Sequence, residues 1–290
     1  MGVVEAIVLG IVQGITEWLP VSSTAHLRVV PALFGWSDPG AAFTAVSQLG
    51  TTLALLIYFG KDLVSAISGW AKSLTNAALR ETPEARLGWG VFWGTIPVIV
   101  AALVFQKSIE GSLRSLYVIA GTLIGFGLIM LWADRTQSGK RTMESVKVGD
   151  GLWVGLFQCL SLIPGVSRSG STMTGAYLAG FDRSTAARYS FMLSVPSVTA
   201  AGVYELLKYR HDIMGASLTP ILVATAVAFV VGYASIAWLM KFLQKHGLGV
   251  FVGYRVLVGV VLLILLQTGV LTANAGATTE QPAPSTNVSP

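Results

Sequence analysis

Charge is scarce in this chain. Of its 290 residues only 11% are charged, against about 25% in an average soluble domain. By contrast, 53% are hydrophobic and the mean hydropathy is +0.68. Long apolar runs that match the thickness of a bilayer therefore predict an integral membrane protein. The net charge of +5 is spread over short loops without a basic stripe, so no nucleic-acid partner is expected.

Cysteine is almost absent as well. The single residue, Cys159, excludes an internal disulfide and a cysteine-rich metal site. Residues 1–19 lack a basic n-region and a small-residue cleavage site, and Glu5 interrupts them. We therefore expect the N-terminal stretch to belong to the membrane domain and not to be a signal peptide.

Apolar segments predict an all-α polytopic membrane protein with six transmembrane helices and two re-entrant helix hairpins. The predicted spans are residues 41–59, 88–105, 116–133, 186–207, 219–240 and 250–271. Stretches 3–33 and 149–180 are each interrupted by Pro, Ser, Thr and Gly, and each half is too short for a core roughly 30 Å thick. Such irregular backbone is tolerated at depth only beside protein or a polar cavity.

Loop charges predict the orientation. If both interrupted stretches are re-entrant, one side receives twelve basic residues and the other side four. By the positive-inside rule the first side is cytoplasmic. The twelve are Lys61, Lys72, Arg80, Arg86, Arg135, Lys140, Arg141, Lys147, Arg183, Arg188, Lys241 and Lys245; the four are Lys107, Arg114, Lys208 and Arg210. The polar tail 273–290 is expected to be disordered and outside.

The chain also contains an internal repeat. A shift of 145 residues aligns like with like at several positions: Gly10 with Gly155, Gln13 with Gln158, Thr16 with Ser161, Val21 with Val166, Ser22 with Ser167 and Thr24 with Ser169. This predicts one domain, 1–272, built from repeats of about 1–133 and 149–271. Each repeat has one hairpin and three spans, and three is odd. The two halves therefore have opposite orientation, as in inverted-topology repeats whose discontinuous helices meet near the midplane.

The first interruption, QGITEWLPVSSTAHL, combines a helix end with acid/base groups. Gln13 and Glu17 are four residues apart and share a helical face, and Pro20 ends that helix. Three hydroxyl residues can cap the next helix: Ser22, Ser23 and Thr24. The new N-terminus favours an anion, and His26 lies in its first turn. Because a carboxylate repels phosphate, Glu17 is interpreted as a general base or as a ligand of a charge-neutralising divalent cation.

The second interruption, PGVSRSGST, contributes a cation. Arg168 is costly in mid-membrane and so indicates function, and its planar fork suits phosphate oxygens. Gly165 and Gly170 are expected to let the backbone approach a ligand. If the two interruptions face each other, they form one anion site. Arg255 lies near a span end and is interpreted as a snorkelling side chain, and a role as a second phosphate contact stays open.

These two motifs resemble those of a known family. The first matches [EQ]-x-x-x-E followed by P-V-S-S-T-x-H, and the second matches P-G-x-S-R-S-x-x-T. The chain thus resembles the bacterial undecaprenyl-diphosphatase family over about residues 1–271. The resemblance implies a cell-membrane enzyme that converts a long polyprenyl diphosphate to the monophosphate, recycling the lipid carrier of cell-wall synthesis. It also implies bacitracin resistance, dependence on Mg²⁺ or Ca²⁺, and a site opening to the periplasmic face.

The resemblance assigns roles to matching positions. Gln13 and Glu17 would be metal or base residues, and Ser23 or His26 the nucleophile. Arg168 would hold the diphosphate. The other predicted substrate-binding residues are Ser22, Thr24, Ser167, Ser169 and Thr172. Since glutamine occupies the first acidic position here, Glu17 is the main anionic ligand.

Three other functions fit parts of the pattern. Inverted repeats with broken helices also build transporters, so a flippase for polyprenyl phosphate is the main alternative. The other large class of membrane lipid phosphatases would need a histidine where this chain has Thr174. A non-catalytic assembly protein would leave Arg168 unexplained. The sequence leaves open the preferred chain length, which metal is used, whether a homodimer forms and whether lipid transport accompanies hydrolysis.

Overall fold

The computed structural model describes residues 1–37, 40–110, 113, 115–208, 210 and 218–273. The predicted tail beyond residue 273 and Arg114 lie outside this part of the chain. The described residues form eleven α-helices: α1 Val3–Trp18, α2 Ser23–Phe34, α3 Gly40–Tyr58, α4 Gly60–Thr75, α5 Pro83–Glu110, α6 Leu116–Thr136, α7 Val148–Leu160, α8 Arg168–Leu178, α9 Arg183–Lys208, α10 Leu218–Phe242 and α11 Gly249–Gln267.

Of these eleven helices, five are long and apolar enough to cross a bilayer. They are α5, from Pro83 to Phe105, and the whole of α6, α9, α10 and α11. Each coincides with a span predicted from the sequence. The sixth predicted span, 41–59, corresponds to α3, and it qualifies only together with α4, to which it is joined at a bend of 76°.

The prediction that residues 60–87 form a loop was wrong. Residues 60–75 form α4, which buries Ala66 and Ser73 and leaves apolar residues such as Val64 and Ile67 exposed. Charged residues interrupt this segment too often for an apolar-run criterion to find it. Its helical spacing of apolar residues is the signal that the search for spans missed.

Both interrupted stretches consist of two short helices. Helices α1 and α2 have 16 and 12 residues, and α7 and α8 have 13 and 11, whereas a span needs about 20. Helix α1 ends because Leu19 precedes a proline, which disfavours helical geometry, and Leu19 is extended (φ −68°, ψ 141°).

Each short first helix packs on a long helix from the other half of the chain. Helix α1 lies along α10 and α7 lies along α5. Two glycines permit the close approach: a Cβ at Gly10 would meet the Ala224 carbonyl oxygen at 2.6 Å, and one at Gly155 would meet that of Gly94 at 2.2 Å.

The largest apolar core joins the two interruptions. Trp18 and Val21 from the first and Val166 and Met173 from the second belong to one buried cluster. Phe191 of α9 completes the contact and meets the Trp18 ring edge-on at a centroid distance of 5.5 Å. This core holds the residues at the two helix breaks within reach of one another.

Candidate active site

The two helix breaks have the same unusual backbone. Ser22 and Ser167 precede α2 and α8 with φ of 77° and 76°, and within the described part of the chain they are the non-glycine residues with positive φ. Such conformations cost about 1–3 kcal/mol and concentrate at functional sites. Directly after these two serines, Ser23 and Arg168 occupy the first position of their respective helices.

Glu17 is the centre of the polar contacts between the breaks. Its Oε2 accepts hydrogen bonds from Gln13 Nε2 at 3.1 Å and from the Ser23 hydroxyl at 2.7 Å. Its Oε1 lies 3.5 Å from Arg168 Nη1. The structure therefore brings together the carboxylate and hydroxyl of the first motif and the cation of the second.

The Glu17–Arg168 ion pair leaves most of the guanidinium available. The Glu17 side chain is only 5% exposed, whereas that of Arg168 is 26% exposed. Among the described residues, Glu17 is the one hydrogen-bond partner of the Arg168 side chain, through a single long contact. Because arginine has five donors, the remaining N–H groups can bind an anion.

The N-terminus of α2 lacks a side-chain capping hydrogen bond, whereas the N-terminus of α8 has one. Ser22 makes no side-chain capping bond; its hydroxyl lies 3.1 Å from that of Thr24, which is exposed. Ser167, in contrast, accepts a bond from the Gly170 amide at 3.2 Å. Uncapped amides at a helix N-terminus attract phosphate, so α2 provides the better anion site.

His26 is buried and both ring nitrogens have partners. Nδ1 lies 2.7 Å from the Ser22 carbonyl oxygen, and Nε2 lies 2.6 Å from the Tyr254 hydroxyl of α11. The ring is thus held beside Ser23 on the same helix, while the Ser23 hydroxyl itself donates to Glu17.

The hydroxyls of the second break mostly stabilise the backbone. Ser169 donates to the Leu19 carbonyl oxygen at 3.2 Å and so ties the second break to the first. Thr172 is fully buried and donates to the Arg168 carbonyl oxygen at 2.8 Å. Ser167 and Ser169 are 7% and 2% exposed. Of the hydroxyls predicted to bind substrate, only Thr24 is exposed.

The interpretation of Arg255 as a snorkelling residue was wrong. Its side chain is 0% exposed and donates to five backbone carbonyl oxygens, those of Thr122, Leu123, Pro20, Gly165 and Val166, at 2.8–3.3 Å. Two of these belong to α6, one to the first break and two to the second. Arg255 therefore fastens both breaks to α6, since their irregular backbone leaves carbonyls that need donors.

The two glycines of the second break serve packing. A Cβ at Gly165, where φ is +92°, would lie 2.1 Å from Thr122 Oγ1, and one at Gly170 would lie 3.1 Å from Met130 Sδ. Both neighbours are on α6. On the side where a Cβ would stand, α6 occupies the space. The expectation that the backbone of these glycines approaches a ligand stays a prediction.

Gln13 and Glu17 are compatible with a divalent cation. Gln13 is 1% exposed and its Oε1 is buried without a hydrogen-bond partner, next to the Glu17 carboxylate. The described residues contain no cluster of three His, Cys, Asp or Glu side chains. Two protein oxygens suit Mg²⁺, which is commonly held by one or two side chains together with substrate phosphates.

Sequence reasoning missed Tyr254. It lies 228 residues from His26 in the chain and belongs to no motif, so no local pattern could have revealed it. Arg255 did carry a signal, a cation within an apolar span, which indicates function or burial as readily as snorkelling.

The fold and the site define an all-helical, multi-pass membrane protein with a charged site where two helix breaks meet. A family profile described as "Bacitracin resistance protein BacA" matches residues 6–261, and the chain belongs to this family.

Curated relatives cover almost the whole chain. A protein of Myxococcus xanthus (strain DK1622) named "Undecaprenyl-diphosphatase" is 51% identical over 276 residues, 95% of this chain and 93% of the relative. Proteins of the same name from Thermobifida fusca (strain YX) and Chloroherpeton thalassium (strain ATCC 35110 / GB-78) are 49% and 48% identical. They cover 98% and 94% of this chain and 97% and 100% of their own length.

Proposed function

We propose that this protein removes the terminal phosphate of undecaprenyl diphosphate and leaves the monophosphate in the membrane. The name shared by the relatives and the family match support this activity. One observation in the site carries it: the Ser23 hydroxyl donates to Glu17, and Glu17 is paired with Arg168 from the other break. The protein is thus a phosphoric anhydride hydrolase that regenerates the lipid carrier of cell-wall synthesis.

In the first half of the reaction Ser23 is the nucleophile. The diphosphate binds with its charge against Arg168 and the open amides of α2, which stabilise the charge on the leaving and transferring groups. Ser23 Oγ attacks the terminal phosphorus while Glu17 accepts its proton. The bond from the terminal phosphorus to the bridging oxygen breaks, which releases the lipid monophosphate and leaves phosphoserine.

In the second half, water hydrolyses the phosphoserine. The water oxygen attacks phosphorus, its proton goes to the neutral His26, and the Ser23 oxygen leaves. Glu17 returns the proton that it took in the first half, so Ser23 recovers its hydroxyl. This division of labour is supported by the contacts: Ser23 donates to Glu17, whereas His26 is held separately in the same helix.

A divalent cation, Mg²⁺ or Ca²⁺, would be held by Gln13 Oε1 and the Glu17 carboxylate. When bound, it would neutralise phosphate charge and make the terminal phosphorus more electrophilic. The buried Gln13 oxygen without a partner supports this assignment.

The proposed architecture is two inverted repeats, each with one hairpin, α1–α2 or α7–α8, that enters and leaves on the same side; the two hairpins enter from opposite sides of the membrane. The matched φ of Ser22 and Ser167 supports it. The packing of each hairpin's first helix on a long helix of the other repeat, α1 on α10 and α7 on α5, supports it as well. With basic loops in the cytoplasm, the first hairpin enters from the periplasmic side. The shared site is proposed to open toward the periplasmic face of the bacterial cell membrane, as the family resemblance implies. The site residues all come from one chain, so a homodimer is not needed for catalysis.

A transporter built on the same repeats would bind the lipid without cleaving it. The relatives carry the name of a hydrolase, and pure transport gives no role to the Ser23–Glu17 bond. Hydrolysis therefore accounts for more of the site.

The test is phosphate release from undecaprenyl diphosphate by the purified protein in detergent, with Mg²⁺ or Ca²⁺ and with chelator. We expect metal-dependent release that is lost in Ser23→Ala. Ser194→Ala is the control, since the hydroxyl of Ser194 in α9 donates to the Ser190 carbonyl oxygen and contacts no residue of the proposed site. Folded protein that binds the lipid but releases no phosphate would contradict the proposal and favour transport.

Acid quench and peptide mapping would distinguish the nucleophiles. Phosphate on Ser23 supports the route above, and phosphate on His26 would mean that the imidazole attacks directly. A lack of phosphate on both residues would indicate direct attack by water.

A further inference from the structure

Tyr254 of α11 makes the shortest contact of the His26 ring. Its hydroxyl lies 2.6 Å from Nε2, and the two rings are nearly parallel, with an interplanar angle of 9° and a centroid distance of 5.5 Å. This contact joins α11 to the first turn of α2. Tyr254 takes no part in the two half-reactions proposed for Glu17, Ser23 and His26.

The partners of His26 determine its tautomer. A carbonyl oxygen can only accept, so the contact with Ser22 requires that Nδ1 carries the proton. In the neutral ring the lone pair is then on Nε2, and the Tyr254 hydroxyl donates to it. The nitrogen able to accept a proton is therefore covered by Tyr254.

Tyr254 is the outer member of this pair and its backbone is fixed. It is 42% exposed, whereas His26 is 8% exposed. The next residue, Arg255, is fully buried and bonded to carbonyls of α6 and of both breaks. Because Nε2 is already bonded to the Tyr254 hydroxyl, a water can contact this nitrogen only by displacing that hydroxyl.

We propose that Tyr254 relays the proton of the attacking water to His26, an inference that rests on the proposed function. As the water oxygen bonds to the phosphorus of phosphoserine, its O–H bond breaks and the proton passes to Tyr254 Oη. The tyrosine proton passes at the same time to His26 Nε2. The tyrosine is regenerated neutral, and His26 becomes the imidazolium that later releases its proton to solvent.

The test compares Tyr254→Phe with Tyr233→Phe. Tyr233 is a matched control, 41% exposed on α10, whose ring contacts Tyr58. In Tyr254→Phe we expect kcat to fall about tenfold, less than the roughly 10²–10⁴-fold loss of a general base, because water can approach Nε2 directly. Only the second half-reaction is slowed, so phosphorylated Ser23 should accumulate at steady state in Tyr254→Phe alone.

A double-mutant cycle with His26→Asn checks that Tyr254 acts through His26. Asparagine can still donate to the Ser22 carbonyl but has no Nε2, so Tyr254→Phe should add no further loss in that background. An equal loss in both backgrounds, or a fall in kcat without accumulated phosphoserine, would overturn the relay.

A measurement without turnover separates this inference from the proposed function. With His211 and His246 replaced by glutamine, long-range ¹H–¹⁵N spectra of ¹⁵N-histidine-labelled protein report His26 alone. We expect protonated Nδ1 and unprotonated Nε2, and a changed Nε2 shift in Tyr254→Phe. If the chemical shift of His26 Nε2 were the same in the parent protein and in Tyr254→Phe, the contact between the two side chains would be refuted. The expected spectra in protein that releases no phosphate would count against the proposed function only.

Discussion

The two helix breaks share a backbone and differ in chemistry. In both, a serine with φ near 77° precedes a helix that starts in the protein interior. Yet the first break carries Glu17 and His26, where the aligned positions of the second are Leu162 and Ser171. At the first position of the helix, Ser23 in one break stands where Arg168 stands in the other.

This difference teaches that one backbone device can serve two tasks. In both breaks the helix begins directly after the positive-φ serine, and its first residue contacts Glu17. In the first break it presents a hydroxyl that donates to a carboxylate, and in the second it presents a cation to the same carboxylate. The first break therefore supplies acid/base groups, and the second supplies fixed positive charge.

The largest expected effect on activity comes from replacing Glu17, the proposed general base of the first break. Glu17→Gln keeps the size of the side chain but removes the proton acceptor of Ser23. We expect kcat for phosphate release to fall about 10²–10⁴-fold. Glu5→Gln, in the first turn of the same helix, where the carboxylate accepts a hydrogen bond from the Gly2 amide, should retain full activity. A Glu17→Gln enzyme with near-normal kcat would contradict the assignment of Glu17 as base.

Arg255→Met should destabilise both helix breaks, because Arg255 donates hydrogen bonds to backbone carbonyls of each. It removes donors from five buried carbonyls, and an unsatisfied buried group costs about 1–3 kcal/mol. Allowing for relaxation, we expect a loss of about 3 kcal/mol and a Tm lower by about 6–12 °C. Thermal unfolding in detergent measures this. Arg210→Met, which removes an exposed arginine, should leave the Tm within about 1 °C.

Arg168→Lys sharpens the contrast between the two breaks. Lysine keeps the charge but loses the planar fork that grips two phosphate oxygens. We expect kcat/KM to fall about 10–10²-fold, with much of the change in KM, whereas Glu17→Gln acts on kcat. Arg183→Lys is the control, since Arg183 pairs with Asp134 away from the site. If Arg168→Lys lowered kcat and left KM unchanged, the second break would not serve mainly to bind the diphosphate.

The smallest expected effect distinguishes the two serine caps. Ser167→Ala removes a bond to the Gly170 amide and should cost about 1 kcal/mol, or about 2–4 °C in Tm. Ser22→Ala removes no capping bond and should cost less. Both replacements keep the same positive φ, so backbone strain cancels in the comparison. Equal losses would show that the two helix N-termini are equally capped.

Much of the site could be predicted from local sequence. The pairing of Gln13 with Glu17 follows from helical spacing, and the caps and helix ends follow from proline and serine. That Arg168 meets Glu17 was expected only on the condition that the breaks face each other. The structure supplies that contact, because both breaks pack on one core and are bonded to each other through Ser169.

The sequence by itself determined the class of the molecule, the five long spans and the two interrupted stretches. These depend on apolar run length and on proline and serine, whose effects extend over a few residues. Tertiary structure alone decided the rest: the burial of Arg255, the use of Gly165 for packing, and the approach of Tyr254 to His26. Each depends on residues far apart in the chain, which become neighbours only when α6 and α11 pack against the breaks.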